Sequence, residues 1–175
     1  MSELFQEKWV KWVALSTTVL AVCAAISSLK GGGYSTRIQL STTLENSKWS
    51  YYQAKSIKQN MMQSQRDLFA LYAFKESDPE AKKMIDGKLK QCEAEVARYE
   101  KEKEQIKTEA ESIAREQDVL KKHAGNFGIA VMFLQIAIML SSVGTLLKRR
   151  EVWITGLAIG VFGLVYMANG FFLVF

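Results

Sequence analysis

Proline occurs once in 175 residues, histidine once and cysteine twice. Each scarcity narrows the chemistry. With Pro79 as the only helix breaker of its kind, long stretches are free to remain helical. Cys23 sits in an uncharged run and Cys92 in a charged one, so no disulfide framework is expected; Cys92 reads as a small apolar residue of a helix seam rather than a bridge between subunits. His123 alone cannot supply a multi-histidine metal site within one chain, and a histidine triad has no other imidazole to use. Charge is also missing where it matters. Three runs lack it: Trp12–Leu29, Phe127–Leu147 and Val152–Phe175.

Each run can cross a bilayer, because roughly 20 residues of helix span a hydrocarbon core of about 30 Å. Three crossings put the termini on opposite sides. Lys148-Arg149-Arg150 fills the turn between the last two runs, and Lys8 and Lys11 precede the first. Both positions lie on one side of a three-span chain, which the excess of short-flank cations marks as cytoplasmic. The segment between the first two spans and the C-terminal Phe175 are then expected on the periplasmic side of a bacterial inner membrane. Leu20-Ala-Val-Cys23 resembles a lipoprotein cleavage box, but Val22 before the cysteine, Glu3 and Glu7 in the leader, and apolar sequence on to Leu29 favour a retained helix. Trp9 and Trp12 read as its interfacial anchors.

The charged middle carries a heptad pattern. Ile85, Leu89, Cys92, Val96, Tyr99, Lys103, Ile106, Ala110, Ile113, Gln117 and Leu120 follow at steps of four and three. The preceding segment repeats that spacing at Leu40, Thr43, Ser47, Ser50, Ala54, Ile57, Met61, Ser64, Leu68 and Leu71. Both strings predict helices that face each other along a seam. Between them, Glu76-Ser-Asp-Pro-Glu80 holds a capping Asp78 followed by Pro79 at the first helical position, so the chain reverses there. The arms, about 34–75 and 79–122, would each reach roughly 60 Å at the helical rise. Gly31-Gly-Gly33 is expected to break the first arm from its span. His123-Ala-Gly-Asn-Phe-Gly128 is expected to be a softer joint that lets the second arm run on into the second span.

The fold class is thus an all-α membrane protein: three transmembrane helices plus a long antiparallel coiled-coil hairpin between the first and second. The expected divisions are 1–30 for the first span, 31–125 for the hairpin and 126–175 for the closing spans. On that seam, Trp49 and Tyr52 point away from the partner arm, with Tyr51 and Lys55 beside them. Outward aromatics suit a protein contact, here a neighbouring copy.

The run Lys48-Trp-Ser-Tyr-Tyr-Gln-Ala-Lys-Ser-Ile-Lys58, placed after one span and before a charged helical region and two closing spans, resembles the bacterial membrane proteins grouped as domain-of-unknown-function family 4337. The likeness covers the whole plan of the chain, and that run is its specific part. It implies a small bacterial membrane protein, and no catalytic residue comes with it.

Direct signs of catalysis are weak. Gly31-Gly-Gly-Tyr-Ser-Thr36 follows a span rather than a strand and lacks the lysine of a phosphate loop. The glutamates from Glu93 to Glu116 alternate with lysines as on a solvated face. The net charge of +5 includes the Lys148-Arg149-Arg150 turn and the hairpin mixes both signs, so nucleic acid is not an expected partner. No enzyme, cofactor or metal is expected. Within the spans, Gln135 and Asn169 either line a pore in an assembly or hold helices together, and Gly156, Gly160 and Gly163 offer a small-residue packing face. The partners expected are membrane lipid, further copies of the chain, and an envelope protein at the tip around Ala73–Lys83. The function expected is a non-enzymatic oligomeric scaffold or contact protein, with an oligomeric channel as the alternative.

Overall fold

The first helix does not stop at its glycines. The structure, a computed structural model, describes residues 2–174, with side chains from residue 9 onward. The side chains of Glu3, Glu7 and Lys8, and Phe175, all used in reading topology from sequence, lie outside the described residues. Three helices make up the fold: α1 (Ser2–Lys75), α2 (Pro79–Leu146) and α3 (Arg150–Phe172). Among the described residues there is no strand. Each helix contains a stretch long and apolar enough to cross a membrane, so the chain is a multi-pass helical membrane protein by length and composition.

The hinge expected at Gly31-Gly-Gly33 is corrected by α1, which passes through it unbroken. Glycine lowers helix propensity by about 1 kcal/mol against alanine. Near a hydrocarbon edge, however, an open backbone loses the hydrogen bonds that water no longer replaces. Packing also uses the missing side chain: a Cβ on Gly31 would lie 3.2 Å from the Phe127 Cβ. At the other joint, α2 runs on through His123–Gly128 without interruption.

Packing divides the chain into two compact units, one formed by the residues up to Leu40 together with those from Gln117 onward, the other by Ser41–Glu116. The divisions expected at 30/31 and 125/126 therefore shift. Tyr34, beyond the first apolar run, stacks on His123 at 4.8 Å between ring centroids and on Phe127 at 5.9 Å, extending the membrane unit past the hydrophobic stretch.

In the membrane unit, Leu20, Ala24, Leu134 and Ala137 form the core, with Cys23, Ile138 and Leu157 against it. The turn into α3 is tight. Lys148 takes a left-handed φ of 53°, the Arg149 N–H donates to the Gly144 carbonyl at 3.0 Å, and a Cβ on Gly144 would meet the Trp153 backbone nitrogen at 2.9 Å. Trp9, read from sequence as an interfacial anchor, instead turns inward: it is buried and meets Trp153 edge-on at 6.4 Å, while Trp12 is exposed.

In the other unit, α1 and α2 lie side by side in opposite directions, as shown by Lys48 with Glu109 and Lys55 with Glu102, both at 2.5 Å. The reversal forms where the capping residues stand. Glu76 Oε1 accepts from the Ser77 and Asp78 N–H groups, and Asp78 Oδ1 accepts from the Glu80 N–H at 3.1 Å. Pro79 opens α2, where its missing N–H leaves no bond unmade.

Candidate functional site

The helical pair has an unusual distribution of polarity. On α2 the inward positions agree with the sequence pattern: Cys92, Ile106 and Ala110 are buried, and Leu89, Val96, Tyr99 and Ile113 are half-buried. Leu120, also half-buried, belongs to the membrane unit.

On α1 the seam expected from sequence is wrong. Ile57, Met61, Leu68 and Leu71 are 68%, 54%, 53% and 62% exposed. The inward positions are Ser41, Glu45, Lys48, Tyr52, Lys55, Gln59, Met62, Arg66, Phe69 and Ala73, again at steps of four and three but mostly polar. Lys48, Lys55 and Gln59 pair across the seam with Glu109, Glu102, Glu100 and Lys103, which explains the register. Gln59, buried among them, donates to Glu100 and accepts from the Lys103 ammonium at 2.9 Å. Hydrogen bonding and charge pairing thus occupy a face that apolar contact would otherwise fill.

Tyr52 accordingly does not point away from the partner arm, and Trp49 packs along its own helix. Both are half-buried, their rings meet at 5.7 Å, and the Lys103 ammonium lies 5.2 Å from the Tyr52 centroid. The Trp49 indole N–H donates to Glu45 at 3.3 Å. Lys55 also faces inward, between Glu102 and the rings of Tyr51 and Tyr99 at 5.2 and 5.3 Å. Of the four residues expected at a subunit contact, only Tyr51 is exposed.

The electrostatics follow these pairings. Hydrogen bonding to Glu102 raises Lys55 above the ordinary lysine value, and the same bond lowers the Glu102 carboxyl. The Glu100 carboxyl is lowered first by Gln59 and then by the charge of Lys103.

Large apolar side chains stay outside on α1, beside exposed polar ones such as Gln53, Lys58, Asn60, Gln65 and Asp67. Leu44, Tyr51, Ile57, Met61, Leu68, Leu71 and Tyr72 are each more than half exposed. At the reversal, Phe74 and Met84 are exposed too.

In the membrane unit, Gly156, Gly160 and Gly163 are buried. A Cβ on Gly163 would lie 2.8 Å from the Leu134 Cγ, and one on Gly160 would lie 3.1 Å from a Leu20 methyl, so this face of α3 packs on both other helices. Asn169 is 2% exposed, whereas Gln135 is exposed on the unit's outer surface. His123, expected from sequence only as the start of a soft joint, bonds to the end of α3 at 2.7 Å between Nδ1 and the Gly170 carbonyl.

Among the described residues no group of three or more histidine, cysteine, aspartate or glutamate side chains could hold a metal ion.

These features define a helical protein with three candidate membrane spans and an antiparallel pair of helical segments. The chain belongs to the family described as Domain of unknown function (DUF4337), whose model matches residues 9–173. No curated protein and no solved structure matches it.

Proposed function

We propose that this is a non-enzymatic membrane scaffold whose copies assemble through the outward face of α1 in a coiled-coil hairpin. The observation that carries this reading is the placement of polarity on α1, with Lys48, Lys55 and Gln59 paired inside and seven large apolar side chains left outside. The seven large side chains run from Leu44 to Tyr72, each more than half exposed.

The occupant is a second copy. Leu44, Tyr51, Ala54, Met61, Leu68 and Tyr72 fall at steps compatible with another long helix. Between Ser41 and Lys75 the only carboxylates are Glu45 and Asp67, while about half of α2 from Pro79 to Glu116 is charged. An assembly with α1 segments at its centre and α2 segments in water matches that asymmetry. Copies in one membrane also share an orientation, so identical stripes can meet in a closed symmetric assembly. Gln135 supports the same reading independently, because an exposed amide within a span is satisfied by a neighbouring helix. Asn169, enclosed by its own chain, favours packing over the channel alternative.

The orientation that accompanies this proposal puts Lys11 and Lys148-Arg149-Arg150 in the cytoplasm and the hairpin outside a bacterial inner membrane. With Cys23 and Cys92 replaced by alanine, an impermeant thiol reagent should label Ser77→Cys and not Lys148→Cys in intact cells; the opposite pattern reverses the topology. Assembly is tested by native mass spectrometry of the full-length protein in mild detergent. The wild type should be a defined oligomer, and Met61→Glu with Leu68→Glu should be monomeric with unchanged helicity. A monomeric wild type overturns the reading.

A further inference from the structure

The end of the first span carries a second feature, independent of self-association. The apolar run closes at Leu29, and the next two cations on α1 are Lys30 and Arg37. They border a shallow cavity of about 200 Å³ lined by Leu29, Lys30, Gly33, Tyr34 and Arg37. The space over Gly33 is open, since a Cβ there would meet nothing within 4 Å.

The walls are held in place. Tyr34 is fixed by its stack on His123 and Phe127. The Arg37 guanidinium lies 6.0 Å from the Tyr34 centroid, and the Lys30 ammonium lies 5.8 Å from that of Phe171. Ring faces attract these cations without neutralising them. No aspartate or glutamate occurs between Glu7 and Glu45 or between Asp118 and Glu151. Among the described residues no carboxylate forms an ion pair with Lys30 or Arg37.

We propose that this cavity binds the phosphate of an anionic glycerophospholipid. Two uncompensated cations at the edge of the apolar run supply what a phosphodiester needs: a guanidinium fork that can donate twice to its oxygens and an ammonium acting as a point charge. Leu29, 78% exposed, gives the glycerol and first acyl carbons an apolar contact. The absence of a carboxylate selects the lipid class. A headgroup with its own ammonium finds no counter-charge here, whereas phosphatidylglycerol adds none. Basic groups beside a span ordinarily attract anionic lipid; the opening at Gly33 makes this a shaped site.

The test is native mass spectrometry of the full-length protein, in mild detergent, with phosphatidylglycerol or phosphatidylcholine of identical chains. The wild type should retain phosphatidylglycerol about tenfold more than phosphatidylcholine, as expected for charge-assisted contacts. Lys30→Ala with Arg37→Ala should abolish the preference. Gly33→Leu should also abolish it, since the new side chain fills the cavity while both charges stay, and circular dichroism should show both variants folded. Equal retention of the two lipids by the wild type overturns the proposal. So does an undiminished preference in Gly33→Leu, which leaves only surface charge, or displacement of the lipid by millimolar inorganic phosphate, which points to a free-anion site.

Discussion

Tyr51 and Tyr52 are neighbours in sequence with opposite roles in space, and substitution should separate them. Tyr52 lies beneath Lys103 and against Trp49, so Tyr52→Ala should lower the melting temperature of the full-length protein while leaving its oligomeric mass unchanged. Tyr51→Ala should leave melting nearly unchanged and weaken association. A reversed pattern would return Tyr52 to a subunit contact. The Lys55–Glu102 pair adds a pH dependence. A carboxyl lowered in the folded state stabilises above its unfolded pKa and loses that contribution as pH falls through the lowered value. An ammonium raised in the folded state stabilises below the unfolded lysine pKa and loses that contribution as pH rises through the raised value. The pair is therefore at full strength between these limits. Melting temperature should fall from about pH 5 to about pH 3, around the ordinary carboxylate range, and Glu102→Gln should flatten part of that fall. Equal slopes would show that the pair contributes nothing.

Among the elements, the reversal and the helix packing were legible to different degrees. Asp78 and Pro79 announce the turn because capping and a missing N–H are local properties, and the structure forms both. Asp78→Ala should destabilise the protein by about 1 kcal/mol, as loss of an N-cap does, measured by denaturant unfolding; no change would mean that Glu76 alone holds the turn. On α2 the apolar string and the inward face coincide, so its register could be read directly. On α1 they do not. The inner face is built from Lys48, Lys55 and Gln59, whose value depends on Glu109, Glu102 and Glu100 sixty to forty residues away, and periodicity in one segment holds no record of those partners. Gly31 misled for a related reason, since a glycine that breaks a helix and one that admits a neighbouring Phe127 are identical in sequence. Gly163→Leu should make the packing use visible, costing about 1–3 kcal/mol through overpacking against Leu134, whereas Gly128→Leu, with open space around it, should be nearly neutral. Equal melting temperatures for the two variants would contradict that packing.

For the molecule as a whole, membrane crossing was the most legible property, because three long uncharged runs have few other uses. The sequence points to Trp49 and Tyr52 for assembly, but the structure turns Tyr52 inward and packs Trp49 against Glu45 and Tyr52 of its own helix, so assembly now rests on the apolar side chains from Leu44 to Tyr72. The direct measurement is cysteine cross-linking in native membranes with Cys23 and Cys92 replaced by alanine. Met61→Cys, on the outward face of α1, should give a covalent dimer of the chain in high yield, while Lys101→Cys, exposed on charge-rich α2, should give none. No dimer from Met61→Cys, or equal yields from the two positions, would contradict assembly through α1.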